Sequence, residues 1–160
     1  MMIDEPLDGR LFGEDQPCFG CGPKHPHGFR LSFERIEDGV RTRFTPGEDH
    51  QGPISVMHGG LVSTLVDEVA AWSLLAETGK FGFTTQMQVK FRAPVRVGVE
   101  LEAMGRLVKR TSRVVTIEVE VHQNDQKCCT AELKFMILDK AGAEALMNIE
   151  LPEAWARFSR

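Results

Sequence analysis

The sequence predicts an α+β domain in which one antiparallel sheet wraps around a single long helix. Three observations predict it. Residues 61–78, LVSTLVDEVAAWSLLAET, contain no Gly or Pro and are apolar on most faces, as a buried helix is. Nearly everything after Phe81 alternates with the period of two that marks strands. Strands grouped around one helix, instead of alternating with several, favour α+β over α/β.

Taken in order, residues 1–17 hold Pro6, Gly9, Gly13 and Pro17 among acids, and are expected to be an irregular lead-in. The Gly- and Pro-dense CFGCGPKHPHGF, 18–29, predicts a structured loop or short helical turn. Leu31 and Phe33, then Val40, Thr42 and Phe44 across the turn signal Glu37-Asp38-Gly39, predict a hairpin. After a second Gly/Pro stretch to Gly60 comes the helix, which Gly79 ends as a C-cap. Four strands follow, over 83–91, 97–108, 113–122 and 127–138, with Asn124-Asp125 as the last hairpin turn. The domain proper is 18–140, and 141–160 is a peripheral tail broken at Pro152. Such a sheet has open edges, so pairing between two copies, as a dimer or a dimer of dimers, is expected.

With 160 residues the chain fits one domain, and 42% hydrophobic against 26% charged residues suits an ordinary core. A net charge of −4 argues against general nucleic-acid binding, which needs a basic face. No apolar run approaches the roughly 20 residues of a membrane span, so no membrane partner is expected. The N-terminal MMIDEP has no apolar region of a secretory signal, and the four cysteines fit reduced thiols in the cytoplasm.

The stretch that carries chemistry is His58-Gly59-Gly60 followed by Asp67 and Glu68. A helix start leaves N–H groups unpaired and partly positive, and two glycines let a ligand oxygen approach them closely. That is a place to hold the oxyanion of an attacked carbonyl. Asp67 lies about two turns further on, too far to serve the same atom within one chain, and a carboxylate supplied across a dimer interface removes the difficulty. On periodicity alone the glycines are packing residues and Asp67 a solvated or salt-bridged acid. Ser63, Thr64, Asp67 and Glu68 share one polar stripe, and Glu68 sits about 100° round from Asp67.

Resemblance decides between these readings. HGGLVSTLVDEVAAW closely resembles the signature of phenylacetate-pathway-type acyl-CoA thioesterases, in the 4-hydroxybenzoyl-CoA thioesterase-like hotdog superfamily. The preceding HQGPISVM, the later FTTQMQVKFRAPVRVG with its Phe-x-x-Pro turn, and the opening CFGCGPKHPHGFRLSF are similar too, over about 18–138. The resemblance implies a hotdog fold and hydrolysis of an acyl-CoA thioester, with coenzyme A as part of the substrate and no cofactor. It implies that the Gly59 N–H polarises the carbonyl and that Asp67 is nucleophile or general base. Thr84 holds the water or the acid, and His58 positions the site. Gly60 and Glu68 fall beside these as substrate-binding candidates. Family members often carry Asn or Gln shortly before the His. Gly52 stands at that place here, so Gln51 or His50 is the candidate for that role.

Other residues have weaker claims. Arg92 and Arg96 around Pro94, and Lys109, Arg110 and Arg113 around a strand turn, suit coenzyme A phosphates, although charges at turns usually face solvent. Trp72, Met87 and Phe91 are core residues by default and acyl-pocket residues otherwise. Cys18-x-x-Cys21 with His25 and His27 has the ligand types for zinc, but the histidine spacing is shorter than in common zinc modules. The cysteines are expected to pack in a turn with no metal, and Cys128-Cys129 to face opposite ways on a strand. A non-catalytic acyl-CoA sensor would need no pocket carboxylate, and a hydratase would need a differently placed Asp/His pair.

Overall fold

A computed structural model describes residues 3–160. Seven strands form one antiparallel sheet in the order β1-β2-β3-β5-β6-β7-β4. They are β1 (Leu7–Asp8), β2 (Ser32–Ile36), β3 (Gly39–Phe44), β4 (Gly82–Phe91), β5 (Leu101–Arg110), β6 (Val114–Gln123) and β7 (Gln126–Ile137). Helix α1 (Gly59–Thr78) packs against β3, β4, β5, β6 and β7. Two short helices, α2 (Lys140–Met147) and α3 (Glu153–Ala156), close the chain. This is the hotdog arrangement, a sheet curled around one helix.

The local reasons follow from sequence. Gly79, at φ 66°, takes the left-handed position that ends α1, and its N–H bonds the Leu75 carbonyl. Asn124 and Asp125, at φ 47° and 65°, make the two-residue turn whose twist matches a hairpin. The strand expected from Val97 begins instead at Leu101. Gly98, at φ 81°, first turns the chain, and Gln123 Nε2 donates to the carbonyls of Arg96 and Val99 on either side of it.

The core lies between α1 and the sheet. Leu65, Val66, Val69, Ala70 and Leu74 of the helix are fully enclosed, as are Leu101, Val115, Ile117 and Leu133 of the strands. Gly105 on β5 is where helix and sheet come closest. A Cβ there would lie 2.2 Å from Ser73 Oγ. With 20 residues, α1 is long and apolar enough by composition to cross a bilayer, which the sequence reading did not anticipate; here its residues form the core.

The two ends of the chain are more ordered than the sequence suggests. Leu7 pairs with Phe33, so the lead-in adds a strand, and Gly9–Phe12 form a turn of 3-10 helix. The tail buries Ala143, Leu151 and Phe158, while Phe12 packs on Trp155 and Phe158.

Candidate active site

The start of α1 is built as the sequence implies, two residues earlier than the apolar run. His58 is its N-cap, with Nδ1 accepting from the Gly60 N–H at 3.0 Å. The carbonyl of His58 accepts from Leu61 and Val62. The Gly59 N–H finds no acceptor among the described residues. Residues 58–60 are exposed. An exposed, unpaired amide at the positive end of a 20-residue helix is a ready donor to a developing oxyanion.

Two turns along, Asp67 Oδ1 accepts from Thr84 Oγ1 at 2.6 Å, a short charge-assisted bond. Among the described residues, no donor takes the second carboxylate oxygen. Thr84 stands at a bulge: it pairs with Phe135, Gln86 pairs with Lys134, and Thr85 is the extra residue. Bulges re-aim side chains next to functional sites. Here the bulge lies at the point where the Thr84 hydroxyl meets the helix acid.

Within one chain Gly59 and Asp67 are separated by about 12 Å of helix. The strands agree. A Cβ on Gly59 would meet the Phe91 ring at 3.6 Å, at the far end of β4 from Thr84. One chain thus offers an acid at one place and an amide at another.

Glu68 points elsewhere, as its 100° offset requires. Its Oε1 accepts from Trp72 Nε1 at 2.9 Å, and its carboxylate lies 3.5 and 3.6 Å from Cys18 Sγ. These residues border an apolar cavity of about 250 Å³ that the sequence did not reveal, because the two chain ends complete it. Phe12 comes from the lead-in, Trp72 and Ala71 from α1, Phe83 from β4, and Met147 and Trp155 from the tail. Trp72 is both core and lining: it is buried and stacks on Phe33. Within the pair of cysteines, a hydrogen bond from Cys21 holds the Cys18 thiol below its usual range. That same bond, with burial, pushes the Cys21 thiol up.

The other candidates divide. His50 is wedged between the Phe29 and Phe44 rings, and its Nδ1 accepts from the Gly47 N–H. Gln51 closes its own loop, accepting from the Ser55 N–H and donating to the Glu48 carbonyl. Both hold the segment that leads into His58, whose N–H bonds the His50 carbonyl. Gly52 is glycine for a local reason, since a Cβ would press on His58 Cα at 3.1 Å. Arg92 donates to Thr130 Oγ1 on the sheet's outer face. Arg96 is tied by its backbone to Gln123. Lys109, Arg110 and Arg113 surround the β5–β6 turn. That turn lies toward the C-terminal end of α1, because Ile137 bonds Arg113 and pairs with Gly82. Within one chain the structure does not bring this basic group to Gly59. Met87 and Phe91 are not core residues: they are 41% and 57% exposed on β4.

Comparison with known proteins agrees with this architecture. The family model described as Thioesterase superfamily matches residues 55–130, which span the α1 start, Asp67 and Thr84. Human acyl-coenzyme A thioesterase 13 is 28% identical over 75 residues, 46% of this chain and 54% of that protein. The chain thus spans about half the length of the curated relatives it matches. A crystal structure of a thioesterase superfamily protein superposes with TM-score 0.70 and 24% identity, covering 84% of this chain and 68% of the other. A hypothetical thioesterase from Streptococcus pneumoniae, crystallised with coenzyme A, superposes with TM-score 0.62 and 18% identity, covering 66% and 86%. On these findings residues 55–130 are similar to the Thioesterase superfamily model, and the chain has the hotdog fold of its solved neighbours.

Proposed function

We propose that the protein hydrolyses an acyl-CoA thioester at a site shared by two copies of the chain. Asp67 acts on the carbonyl carbon, either by taking a proton from an attacking water or by direct attack, and the tetrahedral oxyanion rests on the Gly59 N–H of the second copy. Collapse expels the coenzyme A thiolate, which leaves with a proton; after direct attack, water then cleaves the acyl–Asp67 anhydride to free the acid and restore the carboxylate. The observation that carries this reading is the Thr84–Asp67 hydrogen bond of 2.6 Å, which fixes one carboxylate oxygen and leaves the other for the reacting partner.

The exposed edge of β4 supports the shared site. Thr84 to Gln88 are all exposed, and β4 pairs only with β7 among the described residues. An antiparallel pairing of β4 with its copy, centred on Gln88 and with Thr85 bulged out as it is against β7, sets Thr84 of one chain opposite Phe91 of the other. Gly59 accompanies Phe91, so the amide of one copy meets the acid of its mate. The same pairing covers the exposed Met87 and Phe91 side chains. The acyl group lodges in the apolar cavity beside Phe83 and Ala71, next to Thr84 and one turn from Asp67. An apolar cavity of about 150 Å³ accepts a benzene ring, so this larger one has room for an aryl or a short to medium alkyl group. The Streptococcus pneumoniae neighbour, with coenzyme A bound, lends weight to that half of the substrate.

Asp67→Ala tests the assignment. Thiol release from a panel of short, long and aryl acyl-CoAs is expected to vanish while folding and self-association persist. Wild-type rates in this variant would reject Asp67. Tight acyl-CoA binding without turnover by the wild type would mark the protein as a sensor instead.

A further inference from the structure

The lead-in turn holds chemistry that hydrolysis at Asp67 does not use. Cys18 and Cys21 flank a tight turn closed by the Gly22 N–H, which bonds the Cys18 carbonyl at 2.8 Å. The Cys21 thiol and the backbone N–H groups of Cys21 and Gly20 hold the Cys18 thiol below its usual range. From across the fold, 50 positions on, the Glu68 carboxylate approaches Cys18 Sγ to 3.5 Å. Both sulfurs and a Glu68 oxygen lie within 4.8 Å of one another.

The edge lengths are informative. A tetrahedral zinc ion about 2.3 Å from sulfur and about 2.0 Å from carboxylate oxygen separates those two ligand atoms by about 3.5 Å. The Cys18–Glu68 edge already has that length. The surrounding groups orient the ligands as outer-shell partners of a metal do. Trp72 Nε1 fixes Glu68 Oε1 at 2.9 Å. The buried Gln16 accepts from the Cys18 N–H at 2.8 Å and donates to Cys21 Sγ at 3.5 Å. Gly20 is the residue that admits the carboxylate, since a Cβ there would lie 2.4 Å from it.

We propose that Cys18, Cys21 and Glu68 together bind one Zn²⁺, with water as the fourth ligand at the border of the apolar cavity. Two thiolates favour zinc over magnesium or calcium, whose ligands are oxygens. On binding, each thiol releases one proton to solvent as its Zn–S bond forms, and no electron is transferred. The ion replaces the Cys18-to-Glu68 hydrogen bond with a clamp between the lead-in and α1. The histidines of the same segment are not ligands. His25 packs edge-on against Phe19, and its Nδ1 accepts from the His27 N–H.

This inference is independent of the hydrolytic reading, and its test reads the metal directly. The full chain is purified in reductant without chelator, incubated with Zn²⁺, and freed of excess ion. Elemental analysis is expected to give one zinc per chain, for His27→Ala and Asp67→Ala as well. Co²⁺ in its place is expected to give a near-ultraviolet sulfur-to-cobalt band and intense visible bands of tetrahedral symmetry. Cys21→Ser and Glu68→Gln are each expected to weaken binding at least tenfold. Should those variants fail to fold, the wild type alone decides. A chelator is expected to lower its Tm, and Zn²⁺ to restore it. Substoichiometric zinc, a folded wild type without the cobalt bands, loss of metal in His27→Ala, or a Cys18–Cys21 disulfide persisting in reductant would each overturn the proposal.

Discussion

Replacing Thr84 by Val removes one hydroxyl, keeps the shape of the side chain, and leaves Asp67 Oδ1 without its donor. The lost bond is short, at 2.6 Å, and its acceptor is a carboxylate. Hydrogen bonds to charged groups contribute about 1.5–3 kcal/mol. In a single chain Thr84 is exposed, water takes the vacated place, and the lower figure applies. In the proposed pairing a second copy covers β4, water is excluded, and the upper figure applies. At about 1.4 kcal/mol per factor of ten, kcat is expected to fall between about 10-fold and 150-fold. KM is expected to change little, since the lost bond holds Asp67 and not the substrate. The assay is release of free thiol from an acyl-CoA under saturating substrate, with Thr84→Ser as the control that restores the donor. A Thr84→Val enzyme within twofold of wild type would refute the reasoning, and so would a Thr84→Ser enzyme as slow as the valine variant.

Three more outcomes follow from the same structure. Met87→Lys would set like charges across the proposed β4 pairing and is expected to yield monomers with little hydrolysis; sedimentation at matched concentration checks this, and an active monomer would dismiss the shared site. Gly105→Ala presses a methyl against Ser73 Oγ at 2.2 Å, so urea unfolding is expected to show a loss of about 1–3 kcal/mol. Adding Ser73→Ala is expected to recover most of it. The hydrogen bond from His122, with Lys127 beside it, holds Glu120 below its usual 4.5. A depressed carboxylate contributes stability above its unfolded value, and that contribution is lost as pH falls through the folded one. Urea midpoints are therefore expected to drop on acidification below about pH 4.5, less so in Glu120→Gln.

The parts of the fold legible in the sequence are those set by local chemistry. The apolar run 61–78 demanded burial, Gly79 its left-handed stop, and Asn124-Asp125 a tight turn, and all three stand where periodicity places them. The start of β5 was not legible, because the Gly98 turn depends on Gln123, a residue 25 positions later. The cavity was hidden for the same reason. Its walls come from Phe12, Trp72, Phe83 and Trp155, which no window of sequence contains together. At the site, the family signature pointed to Asp67, Gly59 and Thr84, and the structure joins Asp67 to Thr84 while leaving the Gly59 amide unpaired among the described residues. The roles of His50 and Gln51 depend on loop closures that spacing does not reveal.

Adjacent acids on one helix let so small a domain place two carboxylates in different surroundings. Asp67 and Glu68 differ by about 100° around α1, enough that one reaches a hydroxyl on β4 and the other an indole and a thiol under the lead-in. Exchanging the two residues moves each carboxylate to the wrong wall. The Asp67→Glu, Glu68→Asp double variant is therefore expected to lose hydrolysis although composition and net charge are unchanged. A merely electrostatic role for the pair predicts the opposite, an enzyme indifferent to the exchange. The variant is informative because Leu65, Val66, Val69 and Ala70, the residues that lock the helix's rotation, are untouched and fully buried.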